Sequence, residues 1–149
     1  MTLKFFVPGT PQGQPRAKAT RRGGFVRMYT PGSSDGWRNE VSKWARSEWV
    51  TWNLHSDALE GPLKVSLTFH MKRPKSHFTK KGLRRDAPSW HASKPDRDNL
   101  EKLVLDAITK IGIWKDDNQV CCGEVQKIYT PIGAQDGCWI SITDNIASP

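Results

Sequence analysis

The segment Ser93–Gly112, SKPDRDNLEKLVLDAITKIG, changes character after its first few residues. It opens with Pro95 and two aspartates, Asp96 and Asp98. It continues with Leu100, Leu103, Val104, Ala107, Ile108 and Ile111 at the three-and-four spacing of one helix face. Gly112 suits the C-terminal stop. The spacing predicts a helix from Asp98 to Lys110 with carboxylates at its mouth, and a further pair, Asp116 and Asp117, follows it. A chain of formal net charge +8 thus sets two pairs of aspartates at the two ends of one helix.

The flanking patterns complete a mixed α/β outline. Val65, Leu67, Phe69 and Met71 alternate with Lys64, Ser66, Thr68, His70 and Lys72, the signature of a half-buried strand. Leu3, Phe5 and Val7 predict a first strand ended by Pro8–Gly9. Between these two, Val41, Trp44, Ala45, Trp49 and Trp52 recur at helical spacing, with Ser34 or Asp35 placed to cap. VCCGEVQKIYT, Val120–Thr130, reads as a strand with a bulge position at Gly123, and Cys138, Ile140 and Ile142 alternate as a last strand. The expected order is β-α-β-α-β-β: an α+β domain with a small mixed sheet and two main helices over residues 1–149. The sequence contains no internal repeat and no dividing linker.

Lys and Arg outnumber Asp and Glu 23 to 15. The excess is concentrated in two stretches. The first, Thr10–Ser34, has no acid and carries Arg16, Lys18, Arg21, Arg22 and Arg27 in a long loop with room for a small hairpin. The second carries Lys72, Arg73, Lys75, Lys80, Lys81, Arg84 and Arg85 ahead of Asp86. Such a balance favours a polyanionic partner, nucleic acid before a membrane surface. No apolar run is long enough to span a bilayer, and MTLKFFVPG is too short for a secretory core, so a cytoplasmic protein is expected. Cys121, Cys122 and Cys138 lack zinc-site spacing and include a vicinal pair that bridges poorly; reduced thiols are expected.

Helix capping accounts for only some of the acids. Asp98 with Glu101 fits a capping box, and Asp116–Asp117–Asn118 fits a turn. One cap leaves Asp96 without a role. A helix of this length moves the chain about 20 Å, so Asp117 meets Asp96 only if the strand starting near Val120 returns beside the segment leading into the helix. Convergent carboxylates repel one another unless a cation lies among them. Hard oxygen donors without nearby Cys or His select Mg²⁺ or Mn²⁺, a recurrent device for phosphodiester hydrolysis. Lys102 lies one turn beyond Asp98 and one turn before Asp106. It makes either an intrahelical ion pair or a cation aimed at the charge that develops on a phosphate. His70, His77 and His91 lack a partner at ligand spacing and read as structural or DNA-facing; Trp37, Trp44, Trp49 and Trp52 read as core or dimer packing.

KPDRDNLEKLVLDAI (94–108), followed by GIWKDDNQV (112–120), resembles the signature of the RusA family of Holliday-junction resolvases, particularly its phage-borne members. The likeness extends to VPGTPQGQPRAKATRRG (7–23), YTP (29–31) and FHMKRPKSHFTKKG (69–82), in order along most of the chain. The resemblance implies metal ligation by Asp96, Asp98 and Asp117, an essential lysine at Lys102, and supporting or structural duty for Asp116 and Asp106. It also implies a homodimer that makes Mg²⁺-dependent paired cuts in four-way junctions and related branched DNA, inside a bacterial or phage-infected cell. The basic loops would then grip phosphates irrespective of sequence. The rival reading is a non-catalytic, basic junction- or DNA-binding module whose acids merely cap a helix and shape a turn.

Overall fold

The computed structural model describes residues 1–29, 34–53 and 57–149. The elements in chain order are β1 (Thr2–Pro8), β2 (Lys18–Arg22), β3 (Phe25–Tyr29), α1 (Asp35–Trp52), β4 (Leu63–Met71), β5 (Phe78–Thr79), β6 (Gly82–Leu83), α2 (Arg97–Ile111), β7 (Val120–Cys122), β8 (Val125–Tyr129) and β9 (Gly137–Thr143). Among the described residues β1, β9, β4, β7 and β8 form one sheet. β9 lies antiparallel between β1 and β4, while β7 and β8 run parallel to β4 on its other side. The expected β-α-β-α-β-β order is therefore this sheet and its two helices, with β7 and β8 as one interrupted strand.

Alternation along the strands decides which face is buried. Leu3, Phe5 and Val7 of β1, Cys138, Ile140 and Ile142 of β9, and Val65, Leu67, Phe69 and Met71 of β4 turn to the core. There they meet Trp37, Val41, Ala45 and Trp49 of α1 and Leu100, Leu103, Val104, Ala107 and Ile108 of α2. The helical periodicity puts Trp52 inward; the structure leaves it exposed at the end of α1, stacked on Trp49, and buries Trp37 in the first turn instead. Ser34 is the N-cap residue of α1 but makes no side-chain capping bond. α2 ends as expected, with Gly112 in the left-handed region.

Gly123 separates β7 from β8. At its φ of +141° a Cβ would lie 1.7 Å from the Val65 carbonyl oxygen, so only glycine lets the chain pass this close to β4. The register to β4 then jumps from Lys64 opposite Cys122 to Leu67 opposite Val125. The two basic stretches each fold into a hairpin, β2–β3 and β5–β6, that among the described residues pairs with no other strand. The first matches the expected small hairpin; the strands of the second are two residues long, too short to show periodicity.

Leu103→Ala, which opens a cavity where α2 meets the sheet, should lower unfolding free energy by about 2–5 kcal/mol in urea titrations, and Trp52→Ala by much less.

Candidate active site

The start of α2 is set by β8. Ser89–His91 runs antiparallel to that strand: the Tyr129 amide donates to the Ser89 carbonyl (2.8 Å), the His91 amide donates to the Lys127 carbonyl (3.1 Å), and Trp90 lies opposite Ile128. Phe69 and Lys127 are parallel partners, so Lys127 points toward the helices, between Val125 and Tyr129. Its ammonium donates to the carbonyls of Ser93 and Pro95, each at 2.5 Å. The next residue is Asp96.

Asp96, not Asp98, is the N-cap residue of α2, and its side chain makes no capping bond. The Asp98–Glu101 capping box is thus not formed: Asp96 is the last extended residue, and Asp98 already lies in the first helical turn. Both carboxylates are exposed, and neither has a hydrogen bond or ion pair among the described residues. The helix dipole favours negative charge at this end.

Asp116 shapes the turn that carries Asp117. Its carboxylate accepts from the Asn118 amide (2.9 Å), while the Gln119 side chain accepts from the amides of Lys115 and Asp116 (2.9 and 3.2 Å). Gln119 also donates to the carbonyls of Leu59 and Gly61, latching the turn to the chain ahead of β4. The turn packs against α2 and shares a groove with Thr109 and Gly112. The Asp117 carboxylate is exposed and uncommitted. The strand starting at Val120 pairs with β4; its continuation β8 is what borders the segment leading into α2. Among the described residues no three His, Cys, Asp or Glu side chains are gathered as a ready metal cluster.

Lys102 is exposed and makes no ion pair among the described residues, so the intrahelical alternative is not realised there. The helix's ion pair is instead Lys110–Asp106 (3.0 Å), and Asp106 also takes the Arg38 guanidinium at 2.6 Å. Burial pushes the Asp106 carboxyl upward, but hydrogen bonds and charge from Lys110 and Arg38 outweigh it and hold it below the ordinary value of 3.8. Arg38 also donates to the Gln14 side chain (2.8 Å), whose backbone amide donates to the Asn99 carbonyl (3.0 Å). This relay folds the first basic stretch over the start of α2, leaving a cleft lined by Gln12, Gln14, Arg16, Lys94, Asp96 and Asn99. Asp106 is thus paired with Arg38 and Lys110 and faces the protein rather than the cleft.

The remaining cations divide into free and committed. Lys18, Arg21 and Arg27 are exposed on the β2–β3 hairpin beside Phe25, which is 81% exposed, Val26 and Met28. The Arg22 side chain lies outside the described residues, as do Thr30 and Pro31 of the YTP match. Lys72, Lys75, Lys80, Lys81 and Arg85 are exposed. Arg73 departs from the phosphate-gripping role: it donates to the carbonyls of Thr130 (3.0 Å) and Pro88 (2.8 Å), contacts His77 and lies over the Tyr129 ring, cross-linking the second basic loop. Arg84 pairs with Asp86. His77 and His91 both set an edge against Tyr129, and His70 bonds the Gln135 carbonyl. Burial, then the charge of Lys127, pushes the His91 imidazole below its usual value. Lys127, Arg38 and Gln14 are the site residues that motif reading misses. For Lys127 a signal exists, a lysine at a core-side position between Val125 and Tyr129.

Comparison with known proteins follows this geometry. The profile of the family Endodeoxyribonuclease RusA matches residues 8–134, a span that holds Asp96, Asp98, Lys102 and Asp117. The chain belongs to the RusA endodeoxyribonuclease family. This RusA-family endodeoxyribonuclease is 30% identical over 131 residues to the uncharacterized protein YqaN of Bacillus subtilis (strain 168), covering 86% of this chain and 88% of that one. It is 35% identical over 69 residues to the crossover junction endodeoxyribonuclease rusA of Lactococcus phage r1t, covering 45% of each. Among its described residues no helix is long and apolar enough to cross a membrane.

Two consequences can be measured. Asp106 has a depressed native pKa, so its stabilisation is complete above the ordinary carboxylate value and disappears as pH falls through the native one. The difference in melting temperature between the wild type and Asp106→Asn should therefore narrow on acidification below about pH 4. Lys127→Met, which removes both bonds to the loop ahead of Asp96, should slow DNA cleavage by about 100-fold in single-turnover assays, the cost of misplacing reacting groups by about an ångström.

Proposed function

We propose that this RusA-family endodeoxyribonuclease resolves four-way junctions and related branched DNA, as a homodimer, with Mg²⁺ or Mn²⁺ held by Asp96, Asp98 and Asp117. One observation carries this reading. Asp86, Asp106, Asp116, Asp136 and Asp144 each have a hydrogen-bond or ion-pair partner within the protein, whereas Asp96, Asp98 and Asp117 have none among the described residues. Asp35 and Asp57 also have no side-chain partner among the described residues, so the unpaired aspartates include all three of the family motif without being confined to it.

Asp96 and Asp98 fit the ion as its first donors, whereas Asp117, on the turn beside the Gly112 end of α2, is not gathered with them in the protein alone. Mg²⁺ keeps several waters and takes one or two carboxylates plus substrate phosphate, so Asp96 and Asp98 in one helix turn suffice to begin a site without a closed protein cage. Bound there, a divalent cation supplies Lewis acidity to a phosphodiester oxygen and lowers the pKa of a bound water. The chain's own residues do the rest. Lys102, unpaired one turn along, presents a cation to the charge that develops on the phosphate. Arg16 and Lys94, on either side of the cleft at Asp96, hold the strand in place. Lys127 fixes the loop that leads into Asp96 and the helical turn carrying Asp98.

Branched DNA suits the remaining surface. Phe25 and Val26 form an exposed apolar tip between arginines, which fits an opened base step better than an intact duplex. A four-way junction has approximate two-fold symmetry, so two copies related by a C2 axis can address opposed strands. The rival binding-module reading needs the acids for capping and turn formation. Asp96 makes no capping bond, and it is Asp116, not Asp117, that shapes the turn.

Asp98→Asn should abolish cutting of a synthetic four-way junction while leaving junction binding equal or tighter, because a negative charge near the phosphates is gone. A mutant that cuts at the wild-type rate would remove Asp98 from the chemistry and restore the binding-module account of the acids.

A further inference from the structure

Strand alternation leaves the sheet with a second face, turned away from α1 and α2. We infer that this face is a platform for single-stranded nucleic acid, separate from the acidic site; the inference rests on the DNA-directed function proposed above.

The face carries aromatic side chains along an offset line from β1 to the sheet's edge, with His70 buried and Ile128 between the exposed rings. Phe6 of β1 pairs with Trp139 of β9 and the rings lie 5.2 Å apart, with Phe6 also 5.8 Å from His70 of β4. His70 is the parallel partner of Ile128, and Ile128 lies opposite Trp90. Directly opposed residues share a face, so the row continues to Trp90 at the sheet's edge. Four strand spacings of ~4.8 Å make it about 19 Å long.

Two of these rings are open to solvent although the backbone under them is fixed. Trp139 is 41% exposed and Trp90 63% exposed, and the Trp90 indole has no hydrogen bond or ring contact among the described residues. Trp90 is flanked by the Ser89–Tyr129 and His91–Lys127 backbone bonds, so its exposure is built into the sheet edge. A large indole left in water on a fixed backbone is the geometry of a stacking surface.

Charge selects the occupant. The strand positions of this face carry Lys4 and Lys64, with one acid, Glu124, beside them where its amide donates to Ser66, and the Lys4 ammonium lies 5.4 Å from the Trp139 ring centre. A polyanion with exposed π-faces complements both features, and an unpaired strand has both. A second copy of the chain would bring the same cations onto the face.

The test uses the full-length protein in EDTA, with fluorescence anisotropy of a labelled oligothymidine, a linear duplex and a four-way junction. The Trp90→Ala/Trp139→Ala double variant should bind the single strand at least about tenfold more weakly, since each base–aromatic stack is worth ~1–3 kcal/mol. Its duplex affinity should be unchanged, and Trp90→Phe/Trp139→Phe should restore single-strand binding. Both indoles are exposed, so an unchanged melting temperature confirms that the variants fold. Single-strand binding that survives the alanine pair overturns the inference. A double variant that loses self-association in sedimentation but keeps single-strand binding overturns it in favour of a contact between copies. A wild type that holds junctions but no single strand overturns the platform alone, and one that holds no DNA overturns the proposed function as well.

Discussion

The site depends on the parallel pairing of β4 with β8. That register sends Lys127 toward the helices, where its ammonium holds the carbonyls of Ser93 and Pro95 and so fixes where α2 begins. A slip of one residue would turn Lys127 to the opposite face and free the loop. Gly123 protects the register, because any side chain there would collide with the Val65 carbonyl and separate β8 from β4. Asp96 and Asp98 take their positions from this strand pairing, although they stand on a helix.

Around that fixed point the charges are divided by whether they have partners. Arg38, Arg73 and Lys127 are committed within the protein, to Asp106, to Gln14 and to backbone carbonyls, where they hold loops to the core. The exposed cations of the two hairpins and of Lys102 remain available, as do the carboxylates of Asp96, Asp98 and Asp117. Placing Asp98 two residues from Asp96 sets like charges close together, which repel in the protein alone. It is favourable once a cation and a phosphate backbone share the same surface.

Much of this was legible in the residues. The alternation of Val65–Met71 and Cys138–Ile142 and the periodicity of Leu100–Ile111 gave β4, β9 and α2, because burial on one face imposes those periods directly. The motif aspartates and Lys102 were also visible. The details that stayed hidden depend on partners distant in sequence: Trp37 in place of Trp52 in the core, Asp96 in place of Asp98 at the helix N-cap, and the Asp106–Arg38–Gln14 relay. Arg73 looked like its basic neighbours until its acceptors, Thr130 and Pro88, were placed beside it.

The central claim is that the acids at the start of α2 serve paired hydrolysis of a branched substrate. Mapping the cut positions on a four-way junction labelled at each 5′ end in turn, with Mg²⁺ or with EDTA, tests it most directly. The account predicts Mg²⁺-dependent nicks at matching positions in two opposed strands, leaving duplexes that a ligase can seal. Scattered cuts in all four strands, equal cutting of a linear duplex, or cleavage that persists in EDTA would contradict it.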